Sequence, residues 1–179
     1  MSLDHVTTQS LITGTRLDLR TPSASDVSWI ERFAGDARVA RMTTTVPHPL
    51  PPGNAAAYVA AAHDPDRTEE VWAIDASRSG GAPLAGIVSL TQVGRGQSEI
   101  GYWIAPEAWN TGIASEAVRM LVEANPLGNC TIFASVFKDN PASARVLIHC
   151  GFEYIGDAEA VSVARDAVVP TWTYLKRYG

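Results

Sequence analysis

Two cysteines in 179 residues, Cys130 and Cys150, are too few for a disulfide framework, and they lack the CxxC spacing of a redox or metal pair. They are expected to be reduced, buried thiols of a cytoplasmic protein. Long apolar runs are missing too. None approaches the roughly 20 residues that cross a bilayer, and the polar stretch Met1 to Ser10 has no apolar signal-peptide core. Lysine and arginine form no cluster and the formal net charge is −5, which argues against nucleic acid as a partner. No set of His, Cys, Asp and Glu has metal-ligand spacing, so no metal is expected. Two phosphate motifs are absent as well: the Walker loop, GxxxxGK followed by Ser or Thr, and the dinucleotide fingerprint GxGxxG.

What remains has the profile of a soluble globular domain, with 46% hydrophobic and 18% charged residues in a chain of single-domain length. Residues 1–179 are read as one domain whose first 14 residues are a loosely ordered leader. Arg16–Arg20 alternates, with Leu17 and Leu19 on one face, and is expected to be the first strand. Ser25 and Asp26 are expected to cap a helix carrying Val27, Ile30, Phe33 and Ala34. Four prolines between Thr43 and Pro52 require an irregular loop, after which Asn54 caps an alanine-rich helix. The β-rich stretches 71–76, 84–93 and 97–104 are joined by two glycine turns, Ser79-Gly80-Gly81 and Gly94-Arg95-Gly96. A helix over 112–124, a strand over 131–137 and a helix over 141–150 follow. Short strands are expected near 154–155, 160–165 and 171–176. This order predicts an α/β (α+β) fold with a single mixed sheet and helices on both faces.

The junction after Ile104 carries chemistry. A strand ends at Tyr102-Trp103-Ile104, the chain turns through Pro106 to Trp109, and Asn110-Thr111-Gly112-Ile113-Ala114 opens a helix. Such a start presents free backbone N–H groups backed by the positive end of the helix dipole, which suits phosphate oxygens without a lysine. Gly112 would let a ligand approach the backbone closely. Taken alone, the junction reads equally as an ordinary tight turn.

A second segment narrows the choice. Glu99-Ile-Gly-Tyr-Trp-Ile104 with Trp109-Asn-Thr-Gly-Ile-Ala-Ser-Glu-Ala117 resembles the acetyl-CoA pyrophosphate motif of the GNAT superfamily of N-acetyltransferases. It resembles most the RimJ/RimL-like branch, which reads approximately GYWLxPxYWGxGxAxEA. Trp109 stands where the wider superfamily has Gln or Arg, and Asn110 stands where glycine is commoner. Asn140 to Leu147, then Gly151-Phe152, is similar to the branch's NxxSxRVLxKxGF, at fitting separation. The resemblance runs from about Thr15 to the C-terminus and implies a mostly antiparallel sheet splayed between its fourth and fifth strands, near 97–104 and 131–137. Acetyl-CoA is the implied co-substrate. The backbone of Tyr102, Trp103 and Ile104 would pair with pantetheine, and Trp109, Asn110, Thr111, Gly112, Ile113 and Ala114 would cradle the pyrophosphate. Asn140, Ser143 and Arg145 would approach the pantetheine and the phosphate arm.

Direct acetyl transfer needs a neutral amine, a donor for the thioester oxygen and help for the leaving thiolate. Glu99, at the start of the strand entering the site, is the first candidate base; His48 in Pro47-His48-Pro49 and water are alternatives. The resemblance offers Ser143 to assist the thiolate, with Tyr154 as the alternative. Asn140 also reads as a helix N-cap, with Pro141 at the first helical position. Gly151-Phe152 reads as a helix-ending glycine with a core anchor. The expected activity is N-acetylation of a primary amine, either a protein N-terminus or a small molecule, by a monomer or homodimer with no membrane or nucleic-acid partner. A non-catalytic acyl-CoA-binding or sensory module on the same fold is the rival reading.

Overall fold

The computed structural model describes residues 9–179. It contains one eight-stranded sheet in the order β1-β2-β3-β4-β5-β6-β8-β7. The strands are β1 (Ile12–Thr13), β2 (Asp18–Arg20), β3 (Glu69–Asp75), β4 (Gly86–Gly94), β5 (Gln97–Ile104), β6 (Thr131–Phe137), β7 (Glu153–Ser162) and β8 (Ala167–Arg177). Every neighbouring pair is antiparallel except β5–β6. The helices are α1 (Val27–Ala34), α2 (Ala37–Ala40), α3 (Asn54–Ala62), α4 (Ile113–Ala124) and α5 (Pro141–His149). No helix among the described residues is long and apolar enough to cross a membrane.

Strand alternation sorts the sheet's side chains into two cores. On one face Trp72, Ile74, Val88, Leu90 and Ile100 pack with Val118 and Leu121 of α4 and Leu147 of α5. On the other, Val71, Ala73 and Ile87 pack with Ile30 and Phe33 of α1 and Ala55 and Val59 of α3. The helices therefore cover both faces, as the sequence order implies. Helix α5 ends as expected. Gly151 adopts φ +87°, its N–H donates to Ile148 O, and the N–H of Phe152 returns to Leu147 O at 3.0 Å while the Phe152 ring is buried. That is the Schellman closure, which satisfies two helix-end carbonyls.

Several expectations need correction. The first half of the supposed leader, residues 1–8, lies outside the described residues. Its second half does not behave as loose chain, since Ile12–Thr13 pairs with β2. The splayed pair is the expected one, 97–104 and 131–137, and the added first strand makes it β5 and β6. The last three short strands are one long hairpin, β7–β8. Gly53, not Asn54, occupies the cap position of α3. Cys130 is exposed rather than buried, while burial pushes the half-buried Cys150 thiol up.

Asp26 is the most informative correction. Its carboxylate does not cap α1. It accepts from the backbone N–H of Ser23 at 2.8 Å and from both terminal nitrogens of Arg20 at 2.7 and 2.8 Å. The Arg20 Nε donates to Asp75 at 2.8 Å. One guanidinium thus ties β2, β3 and the entrance to α1, and it neutralises a carboxylate that is 1% exposed. Arg20→Ala should destabilise the fold by about 3–5 kcal/mol, because it strands a buried charge. Urea denaturation checks this, with Arg38→Ala, at an exposed pair, expected to cost under about 1 kcal/mol.

Candidate active site

The strands β5 and β6 pair at only three positions, Gln97↔Thr131, Ser98↔Ile132 and Glu99↔Phe133. Beyond Glu99 they part. β5 stays with β4 up to Ile104↔Gly86, and β6 stays with β8 along its whole length. The backbone of residues 100–104 therefore lacks a sheet partner on the β6 side. The wedge opens into a cleft of about 920 Å³ lined by Tyr102, Trp103 and Ile104 on one wall and by residues 134–137 on the other.

The loop after β5 is pinned from both ends. The Trp109 indole N–H donates to Ile104 O at 2.8 Å, and the Arg38 guanidinium lies 5.4 Å from the ring centroid. Asn110 (φ 61°) and Gly112 (φ 79°) are left-handed. A Cβ on Gly112 would also come within 3.3 Å of Arg16 Nη2. Arg16 donates to Thr111 O at 2.9 Å and is ion-paired with Glu116 one turn into α4. The carbonyl of Thr111 is thereby drawn outward, while Gly112, Ile113, Ala114 and Ser115 at the start of α4 line the cleft. The first N–H groups of a helix have no intrahelical acceptor and carry the positive end of its dipole. The chemistry of such a corner suits an anion.

Helix α5 supplies the opposite wall. Asn140 caps it by accepting from Ser143 N at 3.4 Å, and Pro141 takes the first helical position. Ser143 Oγ lies 2.7 Å from Tyr102 Oη, and the Tyr102 hydroxyl also donates to Ser143 O at 3.1 Å. Arg145 lines the cleft, is exposed, and has no partner among the described residues.

Glu99 stands at the last rung before the strands part. Its side chain reaches solvent through the cleft, yet the protein packed around it raises its pKa above the ordinary 4.5 by desolvation. Strand register puts Glu69, Thr91 and Glu99 in one row across β3, β4 and β5, on the face covered by α1 and α3. Glu69 also lines the cleft, beside the half-buried Tyr58, whose hydroxyl is pushed up first by burial and then by the Glu69 charge. Neither carboxylate has a hydrogen bond or ion pair among the described residues. The cations nearby are already matched: Arg38 to Asp36, and Arg41 to Asp139. Arg165, from the turn between β7 and β8, grips Asp139 at 2.6 and 3.0 Å and donates to Arg41 O at 2.8 Å. It thereby fastens the α2 end of the cleft to the start of α5.

The acetyltransferase (GNAT) domain family matches residues 16–153, more than three quarters of the chain. The chain belongs to this family. A curated relative, the uncharacterized N-acetyltransferase YoaA of Bacillus subtilis (strain 168), is 44% identical over 73 residues, which are 40% of this chain and 41% of that protein. Among solved structures, the microcin C7 self-immunity acetyltransferase MccE, in complex with acetyl-CoA and AMP, superposes with a TM-score of 0.79 at 14% identity, covering 92% of this chain and 94% of that one. A ribosomal-protein-S5-alanine acetyltransferase from Vibrio fischeri gives 0.76 at 18% identity, covering 94% and 97%. These likenesses bear out the GNAT fold, with its single, mostly antiparallel sheet.

The GNAT cleft gathers most of the residues singled out from sequence. Tyr102, Trp103, Ile104, Trp109, Asn110, Gly112, Ile113, Ala114, Asn140, Ser143, Arg145 and Glu99 all line it. Thr111 does not; its carbonyl faces Arg16 and its hydroxyl donates to Ala108 O. His48 and Tyr154 are not among the lining residues either, and the Tyr154 hydroxyl is spent on Asp157. Arg16, Arg38, Tyr58 and Glu69 escaped the sequence reading, because no local pattern links them to partners so distant along the chain. Left-handed backbone sets the next expectation. Gly112→Ala should cost about 1–2 kcal/mol of stability, and Asn110→Gly should be neutral or slightly stabilising. Thermal unfolding of the two variants reads the difference.

Proposed function

We propose that this GNAT domain is an N-acetyltransferase of the RimJ/RimL-like branch, moving the acetyl group of acetyl-CoA directly to a primary amine. The observation that carries the reading is the wedge between β5 and β6, which opens from Glu99 towards the N-terminus of α4. Unpaired backbone at Tyr102–Ile104 suits the pantetheine amides. The α4 start and its loop, Trp109 to Ala114, suit the pyrophosphate, and Arg145 with Asn140 suits the phosphate arm. MccE, of the same fold, was solved with acetyl-CoA, and YoaA bears the name of an N-acetyltransferase. No metal is needed for this chemistry.

In this reading a cationic amine is drawn to the two unmatched carboxylates, Glu69 and Glu99. It must lose a proton, since a free α-amine has a pKa near 8 and a lysine amine near 10.4. Glu99 takes that proton, directly or through a water. Glu99 passes that first proton to solvent; the neutral nitrogen then attacks the thioester carbon and gives its second proton to the re-ionised Glu99, and the tetrahedral intermediate collapses with the C–S electron pair leaving on sulfur and Ser143 as hydrogen-bond donor. A raised Glu99 pKa improves its match to the amine. The acceptor is a protein N-terminus or a small amine, and the enzyme works in the cytoplasm as a monomer or homodimer.

An amine-acceptor screen with thiol-release detection, including peptides of different first residues, tests the activity. Acetyl-CoA binding with no thiol release from any amine would instead mark a non-catalytic acyl-CoA module. Acetyl-CoA should raise the melting temperature, and Gly112→Glu should abolish that shift by placing charge and bulk at the anion corner. Glu99→Gln should lower kcat by about 100-fold with little change in acetyl-CoA affinity. The low-pH limb of kcat/KM carries the sign. Protonation of Glu99 and of the amine both stop attack, so activity falls with slope two below the raised Glu99 pKa, and with slope one throughout in Glu99→Gln.

A further inference from the structure

Resting on that reading, we infer that Tyr102 is a positioning residue: its phenol aims the Ser143 hydroxyl at the departing sulfur. Tyr102 lies on the opposite face of β5 from Glu99 and points at the first turn of α5. Its Oη is 2.7 Å from Ser143 Oγ and 3.1 Å from Ser143 O. Counting hydrogens decides what Ser143 can do. Each hydroxyl has one hydrogen. If the phenol donates to the Ser143 carbonyl, the serine hydroxyl is turned back onto Tyr102 Oη and has nothing for the cleft. If the phenol donates to Ser143 Oγ, the serine hydrogen is released into the cleft. Only the second arrangement assists a leaving thiolate, and a sulfur arriving with growing negative charge selects it.

Burial raises the Tyr102 pKa well above its ordinary 10.0, and the Ser143 bond only partly offsets this. The phenol therefore stays protonated wherever the enzyme works and remains a donor. Ser143 gains as well, because a hydroxyl that accepts a hydrogen bond donates a stronger one. No proton leaves either residue. The C–S bond breaks, its electron pair goes to sulfur, the thiolate departs hydrogen-bonded to Ser143 Oγ, and of the two protons the ammonium nitrogen loses, the first has gone to solvent and the second to Glu99. Asn140 fixes the geometry by holding the Ser143 backbone N–H.

The experiment pairs steady-state kinetics with the acidity of bound CoA, read from thiolate absorbance against pH. Tyr102→Phe and Ser143→Ala should each lower kcat about tenfold, the size of one net hydrogen bond, with CoA affinity within about twofold. The double variant should lose no more than either single one. The thiol of bound CoA should titrate below the ordinary thiol range near 8.5 and move up equally in both variants. Unchanged kcat and thiol acidity in Tyr102→Phe overturn the inference, as do additive losses, which mark plain packing. If Tyr102→Phe fails to fold, the wild type decides alone against Ser143→Ala: equal thiol acidity in the two overturns it. Wild-type protein that binds CoA but acetylates no amine sinks the acetyl-transfer reading itself, whereas turnover with an unmoved thiol sinks only this one.

Discussion

Three parallel rungs between β5 and β6 are the constraint on which the rest depends. A sheet that parts in its middle gives up hydrogen bonds on both facing edges, and buried backbone groups cannot be left without partners. The fold meets this by full ladders on the outer sides, β4 with β5 and β6 with β8, and by closing the base of the wedge with apolar side chains. Ile100, Ile132 and Ala134 from the strands and Leu121 and Leu147 from the helices fill that base. What is left open is a short run of strand edge beside a helix start, and a carboxylate at the vertex. The same divergence creates the space, the backbone donors and the position of Glu99.

Much of the sheet was legible because alternation and glycine turns are local signals. Val71 to Ala73, Ile87 to Leu90 and Ile100 to Ile104 show their faces in the sequence, and the two glycine turns separate them. What was not legible is pairing over distance. The first strand, Ile12–Thr13, is two residues long and exists only because β2 offers an edge. Asp26 looks like a cap, since acidic residues at helix starts usually are, yet its partner is a guanidinium on β2. The pieces expected near 154–155, 160–165 and 171–176 are joined in the β7–β8 hairpin, whose register shifts at Gly156, whose turn holds Asp166 at φ 48°, and whose Pro170 lies just beyond the last β6 rung, Phe137↔Thr171.

The site divides the same way. The anion corner could be read as a motif because strand, turn and helix are contiguous in the chain. Its one unusual residue now has a reason: Asn110 sits at φ 61°, which asparagine tolerates better than most residues other than glycine. The supports of that corner were invisible. Arg16 reaches Glu116 across 100 residues, and Tyr102 reaches Ser143 across 41. Nothing in either neighbourhood announces the other. The α1 and α3 side of the cleft was least legible, because its character comes from charge balance: Glu69 and Glu99 stand unmatched while Arg38 and Arg41 are matched.

The two cores lie back to back with only the sheet between them. Residues that hold the anion corner pack toward α4 and α5, while those that shape the opposite chamber pack toward α1 and α3. Strand periodicity keeps the two sets at alternating positions, so neighbours in the chain answer to different selective pressures. A replacement beneath α1 or α3 can reshape the chamber and leave the other side undisturbed. On the proposed reading, the chamber that receives the amine is thus free to change while the corner that holds the cofactor stays, one amino acid at a time and on alternate letters of the same strand.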